Sequence, residues 1–131
     1  MADHRASPAR HELPDIDATA LTTARSVDRL LASAAEIIAA RGRPDEDGLR
    51  SLDAARVASA AERWAGYFER VPEQLRDDPV ASLRAVARRA RAAYGPKDSI
   101  RDVFSPEVTE PLLDAIDRLL KAIARYEAHR S

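Results

Sequence analysis

Apolar residues recur at intervals of three and four along most of the chain, which is the spacing of one face of an α-helix. The first run extends from Asp17 to just before Gly42, and it consists of Ala20, Ala24, Val27, Leu30, Leu31, Ala34, Ile37 and Ile38. The second run extends from about Leu49 to Arg70, and it consists of Leu49, Leu52, Val57, Ala60, Trp64, Tyr67, Phe68 and Val71. Pro72 is expected to stop it. The pattern predicts two amphipathic helices.

A third helix is predicted from Val80 to Tyr94, after a charged segment at 74–79 that has room for one helical turn. Its apolar side carries Leu83, Val86, Ala87, Ala90 and Tyr94. Gly95 and Pro96 follow directly. Glycine tolerates the left-handed conformation that ends many helices, and proline does not continue one. We therefore expect Gly95 to cap this helix.

Ser99 and Asp102 have the spacing of a capping box, which predicts a short helix through Phe104. The last helix is predicted from Thr109 to about His129, because a proline such as Pro111 is tolerated in the first turn. Its apolar positions form a short heptad seam of Leu112, Ile116, Leu119, Ile123 and Tyr126.

Four long helices with short connections indicate an all-α protein, a four-helix bundle with one short additional helix. Residues 1–16 show no periodicity and are expected to form a flexible tail, so the domain is placed at 17–131. Hydrophobic residues make up 45% of the chain, but 27 of them are alanine. The larger apolar side chains that remain are enough for one core and too few for two.

Composition and charge narrow the classes of function. The chain has no cysteine, which excludes disulfides and thiolate zinc sites. Its net charge of −1 argues against a general polyanion binder. No apolar run is long enough to span a membrane, and the first 15 residues lack the apolar core of a secretory signal, so we expect a cytoplasmic location. Nineteen of the 21 basic residues are arginine, a bias typical of GC-rich bacterial genomes.

The sequence holds few residues of the kinds that catalyse reactions. Its histidines, His4, His11 and His129, lie near the two ends of the chain. There is no Glu-x-x-His pair for a di-iron site and no glycine-rich phosphate loop. We therefore predict no catalytic residue, no metal and no cofactor, and we lean towards a protein that is not an enzyme.

The second predicted helix carries an unusual polar set on its core-facing side. Asp53, Arg56, Arg63 and Tyr67 lie within about one quadrant of it. Charges there are costly unless they are paired. One interpretation is a ligand pocket in which the two arginines clamp a carboxylate or phosphate. The alternative is that Asp53 pairs with Arg56 at the edge of the interface and that Arg63 extends to solvent.

The third predicted helix is basic on one flank. Arg84, Arg88 and Arg91 recur at helical spacing, with Lys97 and Arg101 just beyond. Such a stripe is a candidate nucleic-acid contact through phosphates. The alternatives are a solvated face or pairing with acids of neighbouring helices. No aromatic residue is interleaved with these arginines, which argues against single-strand binding.

The chain resembles a family of small stand-alone bacterial helical proteins of unknown function. The resemblance rests on Trp64-Ala65 in the second helix, on the turn at Gly95, and on the Ser99-Ile100-Arg101-Asp102 helix before the last long helix. Its order and spacing agree over residues 30–128. Pro96, Lys97 and Asp98 stand where the family has Gly, Met and Gly, and Arg101 stands for its Asn. The resemblance implies the order of helices and no known activity.

Three functions remain as hypotheses. The first is a protein that binds another protein, as an immunity-type or regulatory partner. The second is a nucleic-acid-binding regulator that uses the third helix, and the third is a small-ligand sensor or enzyme with the arginine-lined pocket. A homodimer is also predicted, through the 112–126 seam or through the alanine-rich third helix, where Ala85 and Ala92 lie opposite the core. No membrane contact is expected.

Overall fold

The structure, a computed structural model, describes residues 8–40 and 48–130. Its α-helices are α1 (Pro14–Ala40), α2 (Gly48–Phe68), α3 (Val71–Asp77), α4 (Val80–Ala92) and α5 (Pro106–Arg130). Two 3-10 helices, Arg10–Glu12 and Ile100–Asp102, precede α1 and α5. The described residues contain no strand. The prediction of an all-α bundle of four long helices and one short additional helix is confirmed.

Helix α1 is the central element of the bundle. It packs against α2, α3 and α5, and α4 packs against α3 and α5. Ile16, near the start of α1, shares a groove with Ala122, near the end of α5, and Ser26 shares one with Asp114, so the two helices run antiparallel. Small side chains on the buried face of α1 let its neighbours approach closely. These fully buried residues are Ala20, Ala24 and Ala34.

The large core side chains come from all five α-helices and from the segment before α5. The largest fully buried residues include Leu30, Phe68, Leu75, Leu83, Ile100, Leu112, Ile116, Leu119 and Ile123. The heptad seam of α5 is thus part of the protein's own core, with Tyr126 partly buried at its end. These apolar residues already pack against the rest of the bundle, which leaves little of the seam for a dimer face. The homodimer stays a prediction.

The N-terminal boundary differs from the sequence-based expectation. Residues 1–7 lie outside the described part of the chain, but 10–16, assigned to the tail, form a 3-10 helix and the start of α1. Pro14 is the first residue of α1, a position where its missing N–H costs nothing. Ile16, with 2% of its surface exposed, anchors this turn in the core.

Two of the prolines have roles that the pattern did not predict. Pro72 lies in the first turn of α3, so it starts a helix there. α5 begins at Pro106, three residues earlier than predicted, and Pro111 therefore lies inside the helix. The carbonyl that would have accepted its missing N–H belongs to Glu107, which is exposed, so water can satisfy it.

The connection between α4 and α5 is held by the predicted capping box. Ser99 Oγ accepts a 3.0 Å hydrogen bond from the Arg101 N–H, and the Ser99 N–H donates over 3.1 Å to Asp102 Oδ2. The element they cap is a 3-10 turn. Among the described residues, the left-handed conformation belongs to Asp98 (φ 53°) and to no glycine, so Gly95 does not supply the expected left-handed cap.

Candidate functional site

The structure separates the four polar residues of α2 that the sequence grouped together. Asp53, Arg56 and Arg63 are exposed. Tyr67 is partly buried, and its hydroxyl donates a 2.5 Å hydrogen bond to the backbone carbonyl of Arg89 on α4. The Arg89 guanidinium lies 4.8 Å from the centre of the Tyr67 ring and donates to the Tyr67 carbonyl over 3.3 Å. Tyr67 therefore joins α2 to α4, and it does not line the groove that holds Arg56 and Arg63.

Arg56 and Arg63 line a groove of about 230 Å³ beside Trp64. The opposite side of this groove carries Asp98 and Asp102. Two positive and two negative side chains leave the groove with no net charge, which gives an anionic ligand little electrostatic attraction. The arginine clamp that the sequence suggested stays a prediction, and the two carboxylates of the groove argue against it.

The aromatic residues of α2 form one cluster. The Trp64 and Tyr67 ring centres are 5.2 Å apart, and those of Tyr67 and Phe68 are 5.1 Å apart, both with edge-to-face geometry. Such pairs stabilise packing beyond the area they bury. Phe68 is fully buried and Trp64 is partly buried. The cluster anchors the C-terminal half of α2 to the core.

Of the three arginines of α4 that are candidate nucleic-acid contacts, two form ion pairs with acidic residues of α5. Arg84 forms an ion pair with Glu127. Arg91 Nε lies 3.2 Å from Asp117 Oδ1. Arg88 is exposed and makes no ion pair with a described residue. A phosphate bound by the whole stripe would have to compete with two carboxylates.

A second cluster joins the end of α4 to the start of α5. Tyr94 is buried, and its hydroxyl donates a 2.5 Å hydrogen bond to the carbonyl of Thr109. Burial, with a smaller effect of the Glu110 carboxylate, raises the pKa of Tyr94 well above its ordinary value. Arg101 holds Glu110 by two hydrogen bonds of 2.9 Å and thereby lowers the pKa of that carboxyl. At neutral pH these contacts favour the uncharged Tyr94 hydroxyl and the ionised Glu110 carboxylate, which are the ordinary forms of both groups. Such an arrangement is typical of a structural role.

A surface that the sequence did not indicate lies between α1 and α2. It is a groove of about 410 Å³, lined by Leu31, Ile38, Glu62, Ala65, Gly66 and Glu69. We call it the α1–α2 groove. Leu31 and Ile38 were predicted as core residues, yet both are only partly buried. The sequence signal that could have found this groove is Gly66, an isolated glycine inside a predicted helix.

Metal-binding clusters and membrane-spanning helices are absent from the described part of the chain. In residues 8–40 and 48–130, no three His, Asp or Glu side chains are grouped so that they could hold a metal ion. His129 is exposed, and its Nδ1 lies 2.8 Å from the carbonyl of Arg125. Over the same residues, no helix combines the length and the apolar character needed to cross a membrane.

Comparison of the chain with protein-family models, curated proteins and solved structures finds no match. The family resemblance drawn from Trp64-Ala65 and the Ser99–Asp102 segment stays a prediction. A function for this chain must therefore be argued from its own surface.

Proposed function

We propose that this protein acts by binding another protein, and that the α1–α2 groove receives an amphipathic helix of that partner. A helix laid in a groove is a recurring mode of protein recognition, in which apolar residues of one helix face enter the groove. The observation that carries the proposal is the open space above Gly66. An immunity-type or regulatory binder in the cytoplasm is the form of this function that the sequence favours.

No contact among the described residues explains why position 66 is glycine. A glycine inside a helix destabilises the folded state by about 1 kcal/mol relative to alanine. Its backbone does not have positive φ. A Cβ built at this position would meet nothing within 4 Å, so internal packing does not require glycine either. The close approach of another backbone is a further reason for a helix to contain glycine, and it supports a partner at this point.

The chemistry of the groove indicates the kind of helix that fits. Leu31, Ile38 and Ala65 supply an apolar floor that is continuous with the core. Glu69, directly after the end of α2, adds negative charge along one side. An apolar helix face flanked by lysine or arginine complements this arrangement, and complementary charge steers association and fixes its register.

The other exposed surfaces support a partner less well. Ala85 and Ala92 lie on the exposed side of α4, as the sequence predicted. An alanine side chain offers little apolar area, and the gain from burial scales with that area. Two of the four arginines of α4, Arg84 and Arg91, pair with carboxylates of α5, which makes nucleic acid the weaker candidate. The groove beside Arg56 has no net charge for a small anion.

The test is a comparison of three baits in pull-downs from the source cells: wild type, Gly66→Leu and Ala85→Leu. Gly66→Leu projects a branched side chain into the groove, from a position where a Cβ meets no atom of the described residues within 4 Å. Ala85→Leu adds the same kind of side chain to the exposed side of α4. We expect a protein that wild type and Ala85→Leu retain and Gly66→Leu loses, and that contains a basic amphipathic helix.

Two outcomes would contradict the proposal. In the first, all three baits retain the same proteins. In the second, capture is lost with Ala85→Leu and kept with Gly66→Leu, which would move the partner site to α4. If the protein lost with Gly66→Leu is a second copy of this chain, the groove is a homodimer interface and the hetero-partner form of the proposal fails.

A further inference from the structure

The groove that Ser26 of α1 shares with Asp114 of α5 lies on a part of α1 distinct from the α1–α2 groove. It has a volume of about 360 Å³. Four residues from each helix line it with helical spacing: Thr22, Arg25, Ser26 and Arg29 from α1, and Pro111, Asp114, Ala115 and Arg118 from α5. We call it the α1–α5 groove. Three guanidinium groups and two hydroxyl groups converge on it.

Arg25 and Arg29 carry positive charge that no acid of the described residues neutralises. Within the described ranges, the Arg25 guanidinium makes one hydrogen bond, a long one of 3.5 Å from Nη2 to Thr22 Oγ1. Like charges four residues apart on a helix repel each other. Several other arginines of the described residues pair with an acid, as Arg76 does with Asp28 and Arg91 with Asp117. Arg25 and Arg29 lack such a partner there, and they lie side by side in one groove.

The third arginine of the groove has a partner within its own helix. Arg118 Nε lies 3.1 Å from Asp114 Oδ2, and both side chains are about two-thirds exposed. The groove has three arginines and one carboxylate, so its formal charge is +2. The groove beside Arg56 and Arg63, by contrast, has two arginines and two aspartates. The α1–α5 groove is therefore the better electrostatic site for an anion.

We infer that the α1–α5 groove binds the phosphate group of a small phosphorylated molecule. A phosphate dianion matches the charge of the groove and offers three oxygens, whereas a carboxylate carries one charge and two oxygens. The Ser26 hydroxyl, partly buried between the arginines, supplies a further donor. The volume falls in the lower range of small-molecule sites, which fits a phosphate with a compact organic group attached.

The test is an amide NMR titration of the full chain with ribose 5-phosphate, with ribose as the uncharged control, at an ionic strength of about 0.15 M. We expect shifts confined to residues 22–29 and 111–118, with a Kd of about 1 mM or tighter. The double variant Arg25→Gln/Arg29→Gln should weaken binding by tenfold or more, since each lost charged hydrogen bond is worth about that factor.

Two further variants separate a local site from a general charge effect. Arg56→Gln/Arg63→Gln makes the same change in net charge on α2, and it should leave the affinity unchanged. Asp114→Asn removes the one carboxylate of the groove and frees Arg118, so it should raise the affinity by about threefold to tenfold. All of these positions are exposed, and retained dispersion of the NMR spectrum confirms that each variant folds.

The inference is overturned if ribose 5-phosphate gives no localised shifts up to about 10 mM. It also fails if ribose binds equally well, or if Arg56→Gln/Arg63→Gln weakens binding as much as Arg25→Gln/Arg29→Gln. Co-sedimentation with phosphatidic acid vesicles separates a lipid headgroup from a free ligand. We expect no co-sedimentation. If the protein does co-sediment and this requires Arg25 and Arg29, the ligand of the groove is a lipid headgroup and the inference of a small free molecule is wrong.

Discussion

The guanidinium of Arg10 donates a 2.8 Å hydrogen bond to the backbone carbonyl of Leu75, 65 residues further along the chain. The same group donates to the carbonyl of Asp78 over 2.8 Å and to Asp17 Oδ1 over 2.9 Å. The carbonyls at the end of a helix have no partner within it, and Arg10 satisfies two at the end of α3. One side chain thus joins the N-terminal segment to α1 and α3.

Replacement of Arg10 by alanine should destabilise the fold. The Arg10 side chain is only 15% exposed, so its loss leaves the α3 carbonyls without this donor in a partly buried place. We expect a loss of about 2 kcal/mol in the free energy of unfolding and a fall of roughly 6 °C in Tm. Thermal and urea denaturation measure both. Arg88→Ala is the matched control, and equal stability of the two variants would show that the Arg10 bonds contribute nothing.

Tyr94→Phe should cost about 1 kcal/mol at neutral pH, because it removes the hydrogen bond to the Thr109 carbonyl. Burial raises the pKa of Tyr94 above the ordinary value of 10.0. A folded-state pKa above the unfolded one gives a stabilisation that is complete below pH 10.0 and is lost as the pH rises towards the folded-state pKa. The wild-type protein should therefore lose the stabilisation from the Tyr94 hydroxyl at alkaline pH. The phenylalanine variant lacks that hydroxyl, so its stability should not show this loss.

Urea denaturation of both proteins at neutral pH and at about pH 11 tests this, since the difference between them should shrink in alkali. A difference in the free energy of unfolding that stays constant would contradict the account of Tyr94.

Arg101→Gln should raise the pKa of the Glu110 carboxyl towards its ordinary value of 4.5, since the hydrogen bonds from Arg101 are the main cause of its lowered pKa. With its folded-state pKa lowered, Glu110 contributes stability above pH 4.5 that is lost as the pH falls through the folded-state pKa. Carbon-13 NMR of the side-chain carboxyl measures the pKa directly. Arg118→Gln should not move it, and an unchanged pKa in Arg101→Gln would refute the assignment.

Gly66→Ala should stabilise the isolated protein by about 0.5 to 1 kcal/mol, because alanine favours the helix and its methyl group meets no atom within 4 Å. Thermal denaturation of wild type and variant checks this. A destabilised variant would mean that glycine is needed for the fold itself, which would remove the main support for a partner at the α1–α2 groove.

The long helices could be predicted from the sequence because each has an apolar face of its own. The short α3 could be predicted only in part: Val71 and Pro72 fall at the expected end of the second helix, and the 74–79 segment indicates room for one helical turn. A proline can end the helix before it or lie in the first turn of the helix after it. Here Pro72 lies in the first turn of α3, and burial of Leu75 in the core stabilises that helix. The role of Arg10 left no local signal, because its partners on α3 are distant in sequence.

The sites were harder to predict than the fold. The basic stripe of α4 was found, but the pairing of Arg84 with Glu127 follows from the packing of α4 on α5, which periodicity does not specify. The α1–α2 groove was missed because Leu31 and Ile38 belong to the same apolar stripe as the core residues of α1. How far α2 covers that stripe is set by the geometry of the helix pair.

The location of the partner site is the central claim, and amide NMR mapping tests it most directly. The labelled protein is titrated with the partner that wild type retains and Gly66→Leu loses. The account predicts that the largest amide shifts fall on residues 31–38 of α1 and 62–69 of α2. Shifts concentrated on residues 81–92 of α4, with the α1–α2 groove unperturbed, would contradict it.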